Sequence, residues 1–173
     1  RDGMDDWMEM FKRKLGPEAW EGYHGVDLNG WHDRPWPYEE NLHPDVWSVD
    51  TALSMIRKKD PTKPFFMWVS QYRPHSPYDP PQSYWDMYIN EDLGDPVVGE
   101  WARKKAKSQP GLSLTAWRGK LTKKQLHRMK AGYMGLVTHL DFELGRMLQQ
   151  LKRMDPAFAR NLLVIFVSDH GDM

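Results

Sequence analysis

The chain has 173 residues, 40% of them hydrophobic and 13% aromatic, with Lys plus Arg equal to Asp plus Glu at 24 each. That composition can bury a real core and excludes a disordered chain, and the zero formal net charge gives no basis for a nucleic-acid or acidic-membrane partner. No cysteine is present, which excludes a disulfide scaffold, a thiolate zinc site and a thiol nucleophile within these residues.

Trp7, Met8, Met10, Phe11 and Leu15 recur at near-helical spacing, so a short helix is expected there, ended by Leu15-Gly16-Pro17. Residues 16–43 are dense in Gly, Pro, Trp and His without a period of 2 or 3.6 and read as an ordered irregular loop, and the Trp-rich stretch 20–47 could wall a substrate pocket. A helix is expected from Pro44: Val46, Val49, Ala52, Leu53 and Ile56 make one stripe, and Arg57, Lys58 and Lys59 sit where cations oppose the helix dipole. The apolar run "FFMWVS" (65–70), bounded by proline-rich segments, is predicted as a strand covered on both faces.

The following "QYRPHSPYDPP" has too many prolines for a helix or central strand and reads as a rigid connection. Residues 89–120 carry only turn signals, and the short cluster Arg103, Lys104, Lys105, Lys107 reads as solvated surface. Thr122 and Gln125 form a capping box for a long helix with an apolar stripe from Leu126 to Leu151, which "MDPAFARN" ends. "LLVIFVS" (162–168) is predicted as a second buried strand, far too short to span a membrane. Helix, strand, excursion, helix, strand is the grammar of an α/β fold with a parallel sheet. The opening residues lack a signal-peptide core, and both ends read as cuts within a longer protein.

Chemistry in such sheets gathers beyond the C-terminal strand ends. Two polar clusters are predicted there, "RPHSPY" and "SDHGD". The prolines flanking His75 restrict the backbone that holds its imidazole. Asp169 and His170 could share one divalent cation, Ca²⁺, Mn²⁺, Mg²⁺ or Zn²⁺, if the chain turns out of the strand, as Gly171 allows. Blander readings stay open: Asp169 as a helix cap, His170 and His75 as loop imidazoles. His127 and His139 lie on a helix, and His24, His32 and His43 lack a partner at ligand spacing, so all five read as structural. No Gly-rich phosphate loop, HExxH helix or Gly-x-Ser-x-Gly elbow occurs.

Several stretches together resemble the type I sulfatases of the alkaline phosphatase superfamily. "KPFFMWVSQYRPHSPYDPP" resembles the family's strand running into an "RPHxP" loop, "YMGLVTHLDFELGRMLQQL" the helix that follows, and "LLVIFVSDHGDM" its metal-binding strand end. "RPWPYEENLHPDVW" is similar to an insert of bacterial arylsulfatase-like members. The resemblance implies an alkaline-phosphatase-like α/β sandwich with a mixed, mostly parallel sheet flanked by helices, of which residues 1–173 would be an internal part. It implies hydrolysis of sulfate monoesters with a divalent cation, Ca²⁺ first and Mn²⁺ or Mg²⁺ as alternatives. By position, Asp169 and His170 would be metal ligands, His75 would contact the sulfate or leaving-group oxygen, and Arg73 would bind substrate. The family's formylglycine motif, its N-terminal aspartate pair, its Lys-Trp-His element and its late lysine do not occur here, so they are expected outside this chain. The implied partners are a sulfate ester and the remainder of the same polypeptide. Asp-His in place of the commoner Asp-Asn leaves phosphodiester or phosphonate monoester hydrolysis, or a non-catalytic member, as alternatives. The compartment is not readable from these residues.

Overall fold

A computed structural model describes residues 6–20, 25–26, 29–101 and 121–171. The N-terminal helix α1 (Asp6–Leu15) forms as its apolar spacing predicts, and Gly16, with φ +110°, turns the chain out of it. Trp7 and Phe11 stack with ring centroids 4.9 Å apart and enter a core with Ala19, Trp36 and Leu42. The Trp7 indole N–H is satisfied by the Leu42 carbonyl at 3.0 Å.

The irregular stretch ends in a 3₁₀ turn (Glu40–Leu42), and α2 (Pro44–Arg57) follows. His43 caps α2, its Nδ1 accepting from the Asp45 N–H at 3.3 Å, and Pro44 occupies the first turn, where no N–H is needed. Two short helices, α3 (Gln82–Asp86) and α5 (Pro156–Arg160), went unpredicted. Pro81 ends the Pro-rich connection and opens α3, while Asp155 stops the long helix and caps α5 by accepting from the N–H groups of Ala157 and Phe158. The long helix α4 (Lys123–Met154) starts at the expected box: Thr122 Oγ1 accepts from the Gln125 N–H at 3.2 Å, and Gln125 Oε1 accepts from the Thr122 N–H at 2.8 Å. Leu151 of α4 packs with Val49, Leu53 and Ile56 of α2 in a second core.

The two expected strands do not pair in the described structure. Among the described residues no strand forms; the only ladder-like contacts are isolated parallel bridges, Asp33 with Tyr78 and Trp36 with Pro81. Segment 65–70 does alternate with period two: Phe65 and Met67 pack against the α2–α4 core, while Phe66 and Trp68 are 87% and 75% exposed. Segment 162–168 inserts Leu162 into that core and leaves Leu163 through Val167 exposed. One covering layer is present, and no described segment lies alongside to accept ladder hydrogen bonds, so neither run is buried on both faces. The basic cluster at 103–107 and His24 lie outside the described residues. No described helix is long and apolar enough to cross a membrane.

Candidate functional site

The loop from Tyr72 to Pro81 is held from three sides. The N–H groups of Arg34 and Trp36 donate to the carbonyls of Tyr78 and Pro80 at 3.1 and 2.9 Å, and the 33–36 segment is itself tied to α4 by Arg128 Nε, 2.9 Å from Asp33 Oδ2. On the α4 side, Gly132 and Gly135 allow direct approach: a Cβ at Gly132 would sit 2.9 Å from Tyr78 Cβ, and one at Gly135 2.8 Å from Pro80 Cγ. Inside the loop, Arg73 Nη2 lies 2.8 and 3.0 Å from the two carboxylate oxygens of Asp79, with both side chains fully buried. Arg73, expected beside a substrate, therefore faces Asp79 within the chain.

His75 stands exposed on this frame. Its backbone N–H donates to the Tyr72 carbonyl at 3.1 Å, and its Nδ1 lies 2.8 Å from the Ser76 carbonyl. A carbonyl only accepts, so Nδ1 carries the proton in that contact. This leaves Nε2 as the nitrogen that can exchange a proton with a ligand.

Asp169 and His170 sit adjacent and exposed where the 162–168 run ends. Asp169 Oδ1 accepts from the His170 N–H at 2.9 Å, and Oδ2 lies 3.5 Å from His170 Nε2. His170 Nδ1 is 3.0 Å from the Gly171 carbonyl, which assigns Nδ1–H as donor and leaves the Nε2 lone pair on the side of the carboxylate. The residues thus fit a divalent cation as one oxygen and one nitrogen donor; the remaining ligands would come from elsewhere. Neither His75 nor this pair joins a group of three donors at ligand spacing among the described residues.

One such group does exist, on residues read from sequence as structural or not singled out. His43, Asp45 and His139 are all fully buried, and one donor atom from each lies within 4.8 Å of the others. Asp45 Oδ2 is 3.7 Å from His43 Nδ1 and 3.9 Å from His139 Nδ1; His139 Nε2 is 3.4 Å from Glu40 Oε1. Burial, then the positive charges of Arg146 and Arg73, lower the His139 pKa to about 4, so the ring is neutral at physiological pH. Burial, then the Glu143 charge, raises Glu40, against the pull of Arg146. Two sequence signals pointed here: His139 and Glu143 interrupt the apolar stripe of α4, and His43 directly precedes the Pro44 helix start.

The sulfatase family profile matches residues 18–173. The chain belongs to the sulfatase family. It is 44% identical over 169 residues to an arylsulfatase of Clostridium perfringens, covering 98% of this chain and 35% of that protein. It is 30% identical to a multifunctional alkaline phosphatase superfamily protein of Trinickia caryophylli, over 88% of this chain and 31% of that one. A sulfatase of Formosa agariphila is 29% identical, over 87% and 30%. The chain thus spans about a third of the length of these relatives. In this sulfatase chain the motif-bearing loop around His75 is the most firmly braced of the segments singled out for chemistry.

Proposed function

We propose that the protein containing this chain hydrolyses sulfate monoesters, and that this chain supplies part of the site. The observation that carries the reading is the family match over 18–173 together with an exposed His75 on a loop fixed by a buried ion pair and two helix glycines. His75 is the proton donor to the departing alcohol oxygen: with Nδ1–H on the Ser76 carbonyl, a protonated Nε2 can reach a ligand and give up its proton as the ester S–O bond breaks. Asp169 and His170 hold the cation, Ca²⁺ first and Mn²⁺ or Mg²⁺ as alternatives. When bound, that cation supplies positive charge opposite the sulfuryl oxygens, where negative charge grows. Arg73 acts by setting the loop through Asp79. The formylglycine nucleophile is provided by the remainder of the polypeptide.

The same remainder supplies neighbours for residues 65–70 and 162–168. Their outward faces, including Phe66, Trp68, Ile165 and Phe166, are large, apolar and exposed, as strands of a mixed, mostly parallel sheet would be without their partners.

A second reading, phosphodiester or phosphonate monoester hydrolysis, draws on the Asp169–His170 donor pair and the likeness to the multifunctional superfamily protein. Expressing the full reading frame and comparing rates on an aryl sulfate, an aryl phosphodiester and a phosphonate monoester separates the two. His75→Ala is expected to lower the aryl sulfatase rate by roughly 10²- to 10⁴-fold. Full activity in that variant overturns the role of His75, and no hydrolysis of any substrate overturns the catalytic reading.

A further inference from the structure

The cluster at the crossing of α2 and α4 has the composition of a metal site rather than of a helix–helix seam. Seams bury apolar groups, whereas this crossing buries one carboxylate and two imidazoles with donor atoms at ligand spacing. Asp45 is fully buried with two imidazoles facing one of its oxygens. His139, also fully buried, has neither ring nitrogen in a well-formed hydrogen bond. We propose that His43, Asp45 and His139 bind a zinc-like divalent cation that clamps the start of α2 to the middle of α4.

Tetrahedral zinc with bonds of about 2.0–2.2 Å places its donors roughly 3.3–3.6 Å apart. The two Asp45 Oδ2–imidazole distances, 3.7 and 3.9 Å, are a few tenths of an ångström longer, and all the donor atoms lie within 4.8 Å of one another, so the rings close in on the ion when it binds. Two imidazoles and one carboxylate are borderline donors that favour zinc over the harder calcium or magnesium. His139 is oriented as a ligand should be. With Nδ1 on the cation, Nε2–H would face Glu40 Oε1, now 3.4 Å away, in the arrangement by which a carboxylate fixes ring and tautomer at metal sites. At His43 the cation replaces the long 3.3 Å contact from the Asp45 N–H. The half-exposed Glu40 carboxylate stands at the rim and gives a dipositive ion its second negative neighbour.

The test uses the full-length protein, stripped with a chelator and reloaded with Zn²⁺ alone, read by metal content after desalting and by thermal melting. In an Asp169→Ala/His170→Ala background, which removes the other donor pair, one zinc per chain is expected to remain and to raise the Tm. Adding His139→Gln, or separately the isosteric Asp45→Asn, removes that zinc and the Tm increment. An unchanged zinc content in both added variants overturns the proposal. Should both fail to fold, the background protein alone decides: one tightly held zinc supports the site, and none overturns it.

Discussion

Arg73 Nη2 bridges both carboxylate oxygens of Asp79, at 2.8 and 3.0 Å, and the two buried side chains close the loop that carries His75. A buried ion pair is weak evidence of net stabilisation, but removing one partner leaves an uncompensated charge, which costs about 3–5 kcal/mol. Arg73→Met is expected to fall in that range by chemical denaturation. Arg73→Met with Asp79→Leu is expected to recover much of the loss, since no charge is then stranded. If the double variant is as unstable as the single, the pair contributes net attraction rather than mutual neutralisation. In the full-length protein, the proposed role predicts that the double variant lowers kcat more than KM, because the imidazole is misplaced while substrate contacts stay.

The seating of that loop on α4 gives a second prediction, with its control on the same helix. Gly→Ala in a helix interior normally stabilises by up to about 1 kcal/mol. At Gly135 the added methyl would meet Pro80 Cγ at 2.8 Å and the Tyr84 carbonyl at 3.1 Å; at Gly132 it would meet Tyr78 Cβ at 2.9 Å. Overpacking of this kind costs about 1–3 kcal/mol, so both substitutions should destabilise. Gly145, on the same helix with nothing within 4 Å of a built Cβ, should show the ordinary gain. Equal gains at all three positions would mean that the loop does not rest on the helix.

Helix positions were legible in the sequence wherever a local pattern decides the outcome. The Thr122–Gln125 box and the Trp7–Phe11 spacing depend on residues within one turn of each other, and both formed as read. The strand readings at 65–70 and 162–168 depended on neighbours that a continuous apolar run cannot name. Only the period-two contacts of Phe65 and Met67 survive in the described residues. The site divides along the same line. His75 was visible because prolines on either side mark it, whereas the Asp79 that anchors its loop gave no local sign. His139 read as structural because it lies on a helix and His43 because no partner histidine stood beside it in sequence; it is the packing of α2 on α4 that brings their rings to 4.7 Å.

That same packing is fastened at its outer edge by Arg146. From α4 its Nε lies 2.9 Å and 3.1 Å from the carboxylate oxygens of the buried Glu143, while Nη1 reaches Asp50 of α2 at 2.7 Å. The two acids are not equivalent: Glu143 is nearly inaccessible, whereas the Asp50 side chain is about half exposed. Exposed pairs contribute up to about 1 kcal/mol, so Asp50→Asn should cost no more than that. Arg146→Met strands the Glu143 charge and should cost several-fold more, on the order of 3 kcal/mol. Arg146→Lys should recover only part, because an ammonium cannot hold two oxygens of one carboxylate and a second acid at once. Denaturant midpoints for the three variants settle the order, and an Asp50→Asn loss as large as that of Arg146→Met would place the energy in the inter-helix bridge instead of in the buried acid.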